Sequence, residues 1–237
     1  DLNAKPDLNI NTQLKPVIQD GRRVINAELE VEDNLPVHGS IELSNTGSEV
    51  TNDWRIRTTL QHVNLTKHDD VLSLDWLTSP DISTVNAWSG AYFLPVDDLR
   101  SINVYAGYSN SDVDDVLPQL DIRGRGYYVG GQLTKTLTET TDYRTQLSGS
   151  WLYQYWESEQ DITGVNWDDR RLRLSMPSVT YGYANRVFDD LGGRNFASAS
   201  VMASFAGTLG TSASEEFIGQ GGRGAGADGD FVLGRFQ

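Results

Sequence analysis

The sequence predicts an all-β chain whose larger part is an antiparallel, membrane-spanning β-barrel, and three observations carry that expectation. From Pro36 onward polarity alternates residue by residue through one run after another, the period that sends successive side chains to opposite faces of a strand. The connections alternate short and long, as when one end of a barrel carries tight turns and the other carries external loops. Hydrophobic residues make up 38% of the 237, mean hydropathy is -0.43, and no window approaches the roughly 20 apolar residues of a membrane helix. A helical span is excluded, but a barrel wall is not, because only its alternate residues meet lipid.

Residues 1–33 hold Leu8-Asn9-Ile10-Asn11-Thr12, the turn Gln19-Asp20-Gly21, and Val24-Ile25-Asn26-Ala27-Glu28-Leu29-Glu30-Val31. An Asp-Gly between two alternating runs is a hairpin signal. The piece is too short to fold alone and fits the end of an upstream domain. Asn34-Leu35-Pro36 then makes a joint, since proline fixes one torsion and biases the residue before it toward extended geometry. Residues 34–237 form the second region, with strands expected near 36–45, 53–65, 70–78, 85–95, 99–109, 123–137, 143–157, 169–183, 195–207 and 229–237. No stretch reads as a long helix. The chain starts at Asp1 without a signal-peptide pattern and stops at Phe231-Val232-Leu233-Gly234-Arg235-Phe236-Gln237 in what reads as mid-strand, so it is expected to be a piece of a longer protein.

In the second strand Ile56, Thr58 and Leu60 oppose Arg55, Arg57, Thr59 and Gln61. Further on, Leu147, Gly149, Trp151, Tyr153 and Tyr155 oppose Gln146, Ser148, Ser150 and Gln154. Leu172, Leu174 and Met176 oppose Arg171, Arg173 and Ser175, and Ala197, Ala199, Val201, Ala203 and Phe205 oppose Ser198, Ser200 and Ser204. Connections 66–69, 96–98 and 138–142 are short, whereas 110–122, 158–168 and 208–229 are longer and acidic or glycine-rich; 184–194 is longer than a tight turn should be.

A soluble β-sandwich or propeller shows the same alternation. Its apolar face would be a core of Val, Ile, Leu and Phe. Here Ala, Thr, Gly and single aromatics share that face, and Trp54, Trp76, Trp88, Tyr127, Tyr155 and Trp156 fall toward strand ends, where the aromatic girdles of a membrane barrel lie.

The polar face supplies the candidate functional residues. Glu42, Arg55, Arg57, Gln61, Asp75, Gln132, Gln154, Arg171 and Arg173 are expected to face the lumen, because an Arg facing lipid near midplane costs about 2–4 kcal/mol. A water-filled pore so lined would let an unfolded polypeptide pass without sticking. Equally, these side chains would simply fill and brace the barrel.

Other chemistry finds little support. Nineteen Lys and Arg against 33 Asp and Glu give a formal charge of -14, which argues against a nucleic-acid partner. The absence of cysteine removes disulfides, thiolate metal sites and thiol catalysis. Gly219, Gly221 and Gly224 match a dinucleotide fingerprint in spacing, but Ala225-Gly226-Ala227-Asp228-Gly229 cannot start the helix it requires. Asp112, Asp114 and Asp115 offer oxygen ligands for calcium without the Gly and distal Glu of an EF-hand, and read as a solvated acidic loop. His38, His62 and His68 make no metal-binding pair. A glycosidase pair could be drawn from Glu157, Glu159, Asp161, Asp168 and Asp169 beside Trp156 and Trp167, although any acidic chain offers such pairs. No enzyme activity, cofactor or metal is expected.

Leu2-Asn3-Ala4-Lys5-Pro6-Asp7-Leu8, followed by Ala27-Glu28-Leu29-Glu30-Val31-Glu32-Asp33-Asn34-Leu35-Pro36-Val37-His38-Gly39-Ser40-Ile41-Glu42-Leu43, resembles a junction known from two-partner secretion transporters. There the second periplasmic POTRA domain meets the barrel. These are the haemolysin secretion and activation proteins, a branch of the Omp85 superfamily. Asp69-Asp70-Val71-Leu72-Ser73-Leu74 and Leu77-Thr78-Ser79-Pro80 look like the family's second hairpin; beyond Pro80 the resemblance is one of strand rhythm.

The resemblance implies a sixteen-stranded outer-membrane barrel behind two POTRA domains. Residues 1–33 would be the C-terminal part of a POTRA domain in the periplasm, and 34–237 roughly the first ten barrel strands. The partners implied are an unfolded, haemolysin- or adhesin-like exoprotein, outer-membrane lipid and lipopolysaccharide, with the barrel a monomer. The family's Val-Arg-Gly-Tyr/Phe motif would lie downstream; Arg123-Gly124-Arg125-Gly126-Tyr127 comes too early for that role. Two other functions stay open at this point: an Omp85-type factor that inserts other barrels, and a soluble β-rich carbohydrate-active protein.

Overall fold

All ten runs of alternating polarity form strands, and they pair in chain order. A computed structural model describes residues 8–19, 22–33, 35–48, 51–117, 120–162, 165–188, 192–218 and 226–237. The elements are β1 (Leu8–Gln19), β2 (Arg22–Asp33), β3 (Val37–Ser44), β4 (Arg55–Val63), β5 (Val71–Thr78), β6 (Val85–Asp97), β7 (Arg100–Leu117), β8 (Leu120–Glu139), β9 (Tyr143–Ile162), β10 (Val165–Asn185), β11 (Phe196–Ser204), α1 (Ser214–Ile218) and β12 (Phe231–Phe236). β1 and β2 make a two-stranded sheet; β3 to β12 make one ten-stranded antiparallel meander with β3 and β12 at its edges. The glycine fingerprint at 219–224 lies outside the described residues, as does the turn Asp20-Gly21.

Because register partners share a face, the pairing sorts every strand of the large sheet into two sides. One side is apolar and exposed. It carries Ile41, Leu60, Leu74, Trp88, Val104, Leu133, Trp151, Val179 and Val201, each more than a third exposed. The other side carries Ser40, Thr59, Ser89, Ser150, Thr180 and Ser200. Among the described residues only Val63, Leu172, Met176 and Phe217 are buried large hydrophobics. A sandwich needs a second sheet over its apolar face, and no described strand lies outside the hairpin and the single meander.

Most of two expected loops proves to be strand, over 110–117 and 120–122 and over 158–162 and 165–168. Segments 110–122 and 158–168 read as longer, acidic connections. Instead β7 and β8 are 18 and 20 residues long, and β9 and β10 are 20 and 21, while β3, β4, β5 and β11 have only eight or nine. Cross-strand ion pairs support the extension: Arg123 meets Asp112 at 3.2 Å, and Arg125 meets Glu157 at 2.7 Å. A membrane strand needs about 9–11 residues, so these four stand well beyond that span at their hairpin ends.

β10 also outreaches β11, and the connection after β11 covers part of its exposed edge. The Ser212 amide donates to the Arg173 carbonyl at 3.0 Å, and the Arg173 and Ser175 amides donate to the Ser212 and Thr211 hydroxyls at 3.2 and 3.1 Å. Within that connection α1 buries Phe217, whose ring lies so close to Gly229 that an added Cβ would sit 2.5 Å from it.

Candidate functional site

The polar side of the meander is the candidate site, and its residues can be traced by register. Glu42 pairs with Arg57, and Ser44 with Arg55. From Thr59 the partners run through Asp75, Ser89, Gly107 and Tyr128 to Gln154. A lower row runs from Asn103 through Gln132 and Ser150 to Ser178. Seven expected site residues, Glu42, Arg55, Arg57, Gln61, Asp75, Gln132 and Gln154, therefore share one side.

Arg171 and Arg173 do not join them. Leu174 is the partner of Gln154, so Leu172, Leu174 and Met176 hold the polar side and the two arginines turn to the other. The two arginines are expected beside the other candidates, but the register reverses the polarity of the two sides in this outer part of β10, where Leu172, Leu174 and Met176 take the side that hydroxyl and amide groups hold nearer the short turns.

Short hydrogen bonds brace the polar side. Thr59 donates to Asp75 at 2.8 Å, Gln132 donates to Thr134 at 3.2 Å, Thr134 and Ser148 are 3.0 Å apart, and Ser150 and Ser178 are 2.6 Å apart. Tyr105 and Tyr128 lie across glycines of the neighbouring strand, each ring about 2.5 Å from where a Cβ on Gly130 or Gly107 would stand. Arg55 plays a different part, because its guanidinium donates to the Thr51, Asn52 and Trp54 carbonyls at 2.9, 2.7 and 2.9 Å and ties down the connection before β4. Arg57 and Asp75 line one depression together with Ser89 and Tyr128. Around these rows the surface is rich in hydroxyl and amide groups, whereas toward the hairpin end of β9 and β10 the same side carries Leu152, Trp156, Leu172, Leu174 and Met176.

The apolar side has its own order. Trp76, Trp88, Tyr108, Tyr127 and Tyr155 are successive register partners across five strands, with ring centroids 5.2 Å apart for the tryptophans and 5.1 Å for Tyr127 and Tyr155. Four of the six aromatics expected in a girdle are in this run; Trp156 is on the polar side, paired with Leu172. Tyr143 and Tyr183 stack at 5.9 Å at the short-turn end.

Beyond the aromatics on the same side lies a charge ladder. Glu157, only 8% exposed, accepts from Arg125 at 2.7 Å and Tyr155 at 3.0 Å and pairs with Arg171 at 3.0 Å. Arg171 also meets Asp169 at 2.9 Å, and Arg125 meets Glu159 at 3.4 Å. Oxygens of Glu157, Glu159 and Asp169 lie within 4.8 Å of one another, the one group among the described residues close enough to share a cation. All three already have arginine partners, which suits neither a protonated general acid nor a free base. Asp112 is likewise paired with Arg123; the side chains of Asp114, Asp115 and Asp168 lie outside the described ones. His38 and His62 sit on opposite sides of the sheet, and His68 accompanies Thr66 in a turn.

That turn, Asn64 to Asp70, closes the short-turn end of β4 and β5. The buried Asp70 carboxylate accepts from the Thr66 amide at 2.9 Å, and Asn64, Lys67 and Asp69 all take left-handed backbone conformations. Burial alone would push the Asp70 carboxyl up, but hydrogen bonds from the Thr66 amide and the Tyr92 and Thr66 hydroxyls outweigh it and hold the group down at about 2.

With the meander and its two faces defined, known structures give a match. The fold resembles that of CdiB. CdiB from Escherichia coli superposes with a TM-score of 0.73 at 18% identity, over 98% of this chain and 41% of that one. CdiB from Acinetobacter baumannii gives 0.53 at 14% identity, over 96% and 49%. The chain thus spans less than half the length of either. CdiB proteins are two-partner secretion transporters of the Omp85 superfamily. At these identities the likeness shows the fold: a ten-stranded portion of a β-barrel. No family model and no curated protein sequence matches the chain.

Proposed function

We propose that this chain is part of an outer-membrane polypeptide transporter that secretes a large haemolysin- or adhesin-like exoprotein by two-partner secretion. The observation that carries the reading is the two-sidedness of the meander. Over the part of the strands nearer the short turns, exposed Ile, Leu, Val and Trp predominate on one side, as a lipid-facing wall requires, and hydroxyl, amide and charged groups on the other, as a wet lumen requires. Glu42, Arg57, Gln61, Asp75, Gln132 and Gln154 then line the pore, with Arg55 bracing its rim. An extended polypeptide crosses the hydroxyl- and amide-rich part of this surface by exchanging hydrogen bonds with water and side chains, and meets apolar side chains only toward the hairpin end of β9 and β10.

In this reading the β1–β2 hairpin is the end of a periplasmic POTRA domain. It is amphipathic: Leu14, Ile18, Ile25, Leu29 and Val31 share an exposed apolar face that no described residue covers, so it is built to pack against more of a domain. A strand edge of such a domain binds an extended client by main-chain hydrogen bonds. The short turns, including Asn64 to Asp70, would lie on that side, and the long hairpins of β7–β10 outside.

The test uses the full-length protein. Expressed with its exoprotein in a Gram-negative host, it should fractionate with outer membranes, show heat-modifiable migration, and release the exoprotein to the medium. A full-length protein that is soluble and monomeric without detergent overturns the reading.

A further inference from the structure

We propose that the outward side of β8, β9 and β10, just beyond the apolar band, seats the lipid A part of lipopolysaccharide. Arg173 takes a phosphate, and a slot over Gly131 and Gly149 takes one acyl chain. The inference rests on the reading of the apolar side as lipid-facing and of the long hairpins as external.

Height on the wall comes first. Strands rise about 3.3 Å per residue and cross a barrel tilted by roughly 40°, so about ten residues traverse the apolar band. Counted from Tyr143 at the short-turn end of β9, that places the outer boundary near Tyr153. Tyr155 and its partner Arg173 stand one outward step beyond it, and Glu157 with its partners Arg125 and Arg171 the next. Both steps lie at headgroup depth.

Charge is ordered by height. The step nearest the membrane holds Arg173 among aromatics. The next holds two arginines against Glu157. Above that, Arg123 is the register partner of Asp112 and Glu159, and Asp169 follows Glu159 on β10. Glu159 and Asp169 reach Arg125 at 3.4 Å and Arg171 at 2.9 Å, so the carboxylates balance the second step and leave Arg173, among the described residues, as the uncompensated charge at the boundary. Arg173 is the decisive residue. Its backbone is tied to Ser212, yet no carboxylate among the described residues pairs with its guanidinium. An outward arginine at this boundary is suited to snorkel to phosphate. Glu157 accepts the Nε of both Arg125 and Arg171, and Glu159 and Asp169 take an Nη2 of each, so these two arginines stand beside Arg173 as paired cations.

Directly below, Gly131 and Gly149 are diagonal neighbours on β8 and β9, and Ile102, Leu133 and Trp151 surround them in a shallow depression. The space is real: a Cβ on Gly149 would meet nothing within 4 Å. Cationic head, stacked Tyr127 and Tyr155, and glycine-floored apolar slot thus lie along the same pair of strands, in the order of a phosphorylated, acylated lipid of the external leaflet.

The test measures lipid retained by the full-length protein after folding into bilayers and exchange into detergent, read by native mass spectrometry. Purified hexa-acyl lipopolysaccharide is the probe and phosphatidylglycerol the competitor. Wild type should retain the lipopolysaccharide, and Arg173→Ala should retain about tenfold less, the scale of one charge-assisted contact. Gly149→Leu should also lose it, while Lys67→Ala, in a turn at the opposite end, should not. Heat-modifiable migration confirms that each variant is folded, and Arg173→Lys should recover most retention. Equal retention by folded Arg173→Ala and Gly149→Leu overturns the proposal; so does phosphatidylglycerol held as tightly and lost in the same variants. A wild type that enters bilayers but holds no lipopolysaccharide defeats this site alone, whereas one that never enters them defeats the barrel reading beneath it.

Discussion

The two halves of β10 face the same side of one sheet and carry opposite chemistry. Near its short-turn end the apolar side shows Val179, Tyr181 and Tyr183; near its hairpin end that side shows Asp169, Arg171 and Arg173. Across the sheet the exchange is mirrored. Ser178 and Thr180 give way to Leu174 and Leu172. The alternation never breaks, but its sign reverses. A period-2 pattern therefore reports what each side touches at a given height, and a strand long enough to leave the membrane carries two such patterns end to end.

The largest effect should come from forcing the wrong sign on the lower half. Val179→Arg, Ile56→Arg, Leu60→Arg or Val201→Arg puts a cation against hydrocarbon at about 2–4 kcal/mol near midplane, and folding into lipid vesicles should fail or slow severely. Thr180→Arg, Thr59→Arg and Ser200→Arg, one residue away, should insert nearly as wild type. In the upper half the contrast should vanish, and Arg171→Leu should leave insertion unchanged. Equal insertion from both sides in the lower half would break the assignment of faces.

This reversal marks how far the sequence could be read. Existence and order of the ten strands were legible because periodicity is local, and a run such as Leu147 to Tyr155 cannot alternate so strictly by chance over many strands. The lengths of β7 to β10 were not. Their outer ends look like loops in composition, and what keeps them extended is pairing between residues such as Arg125 and Glu157, 32 positions apart. The facing of Arg171 and Arg173 was lost for the same reason, since fixing it needs the register from β4 through six more strands. Seven of the nine candidate residues share one side because they lie where the alternation keeps a single phase from strand to strand. The cap that Thr211 and Ser212 place on the β10 edge left no signal at all in a glycine- and serine-rich connection.

The two ends of the sheet should also differ in their response to acid. At the short-turn end Asp70 is held at about 2, against an ordinary 3.8. A carboxyl depressed on folding contributes stability that is complete above its unfolded value and is lost as pH falls from there through the folded one. Urea unfolding of the full-length protein in detergent should thus show an Asp70 contribution that is flat from neutral pH to about 4 and then declines toward 2. Asp70→Asn should be weaker at neutral pH, because its amide meets donors from Thr66 and Tyr92, and should lack that acid-dependent portion. An unaltered acid slope in Asp70→Asn would assign the slope to other carboxylates.

The hairpin end should respond to salt, and least of all. Glu157 joins Arg125 and Arg171, but both arginines are about half exposed, so solvent screens the attraction. Glu157→Gln keeps the shape and one acceptor while removing the charge. Unfolding at low ionic strength should shift slightly toward lower urea, and the difference from wild type should close near 1 M salt, where the screening length falls to roughly 3 Å. A salt-insensitive loss would mean that Glu157 acts through packing against Tyr155, and the upper half of the wall would then be held by contacts like those of the lower half.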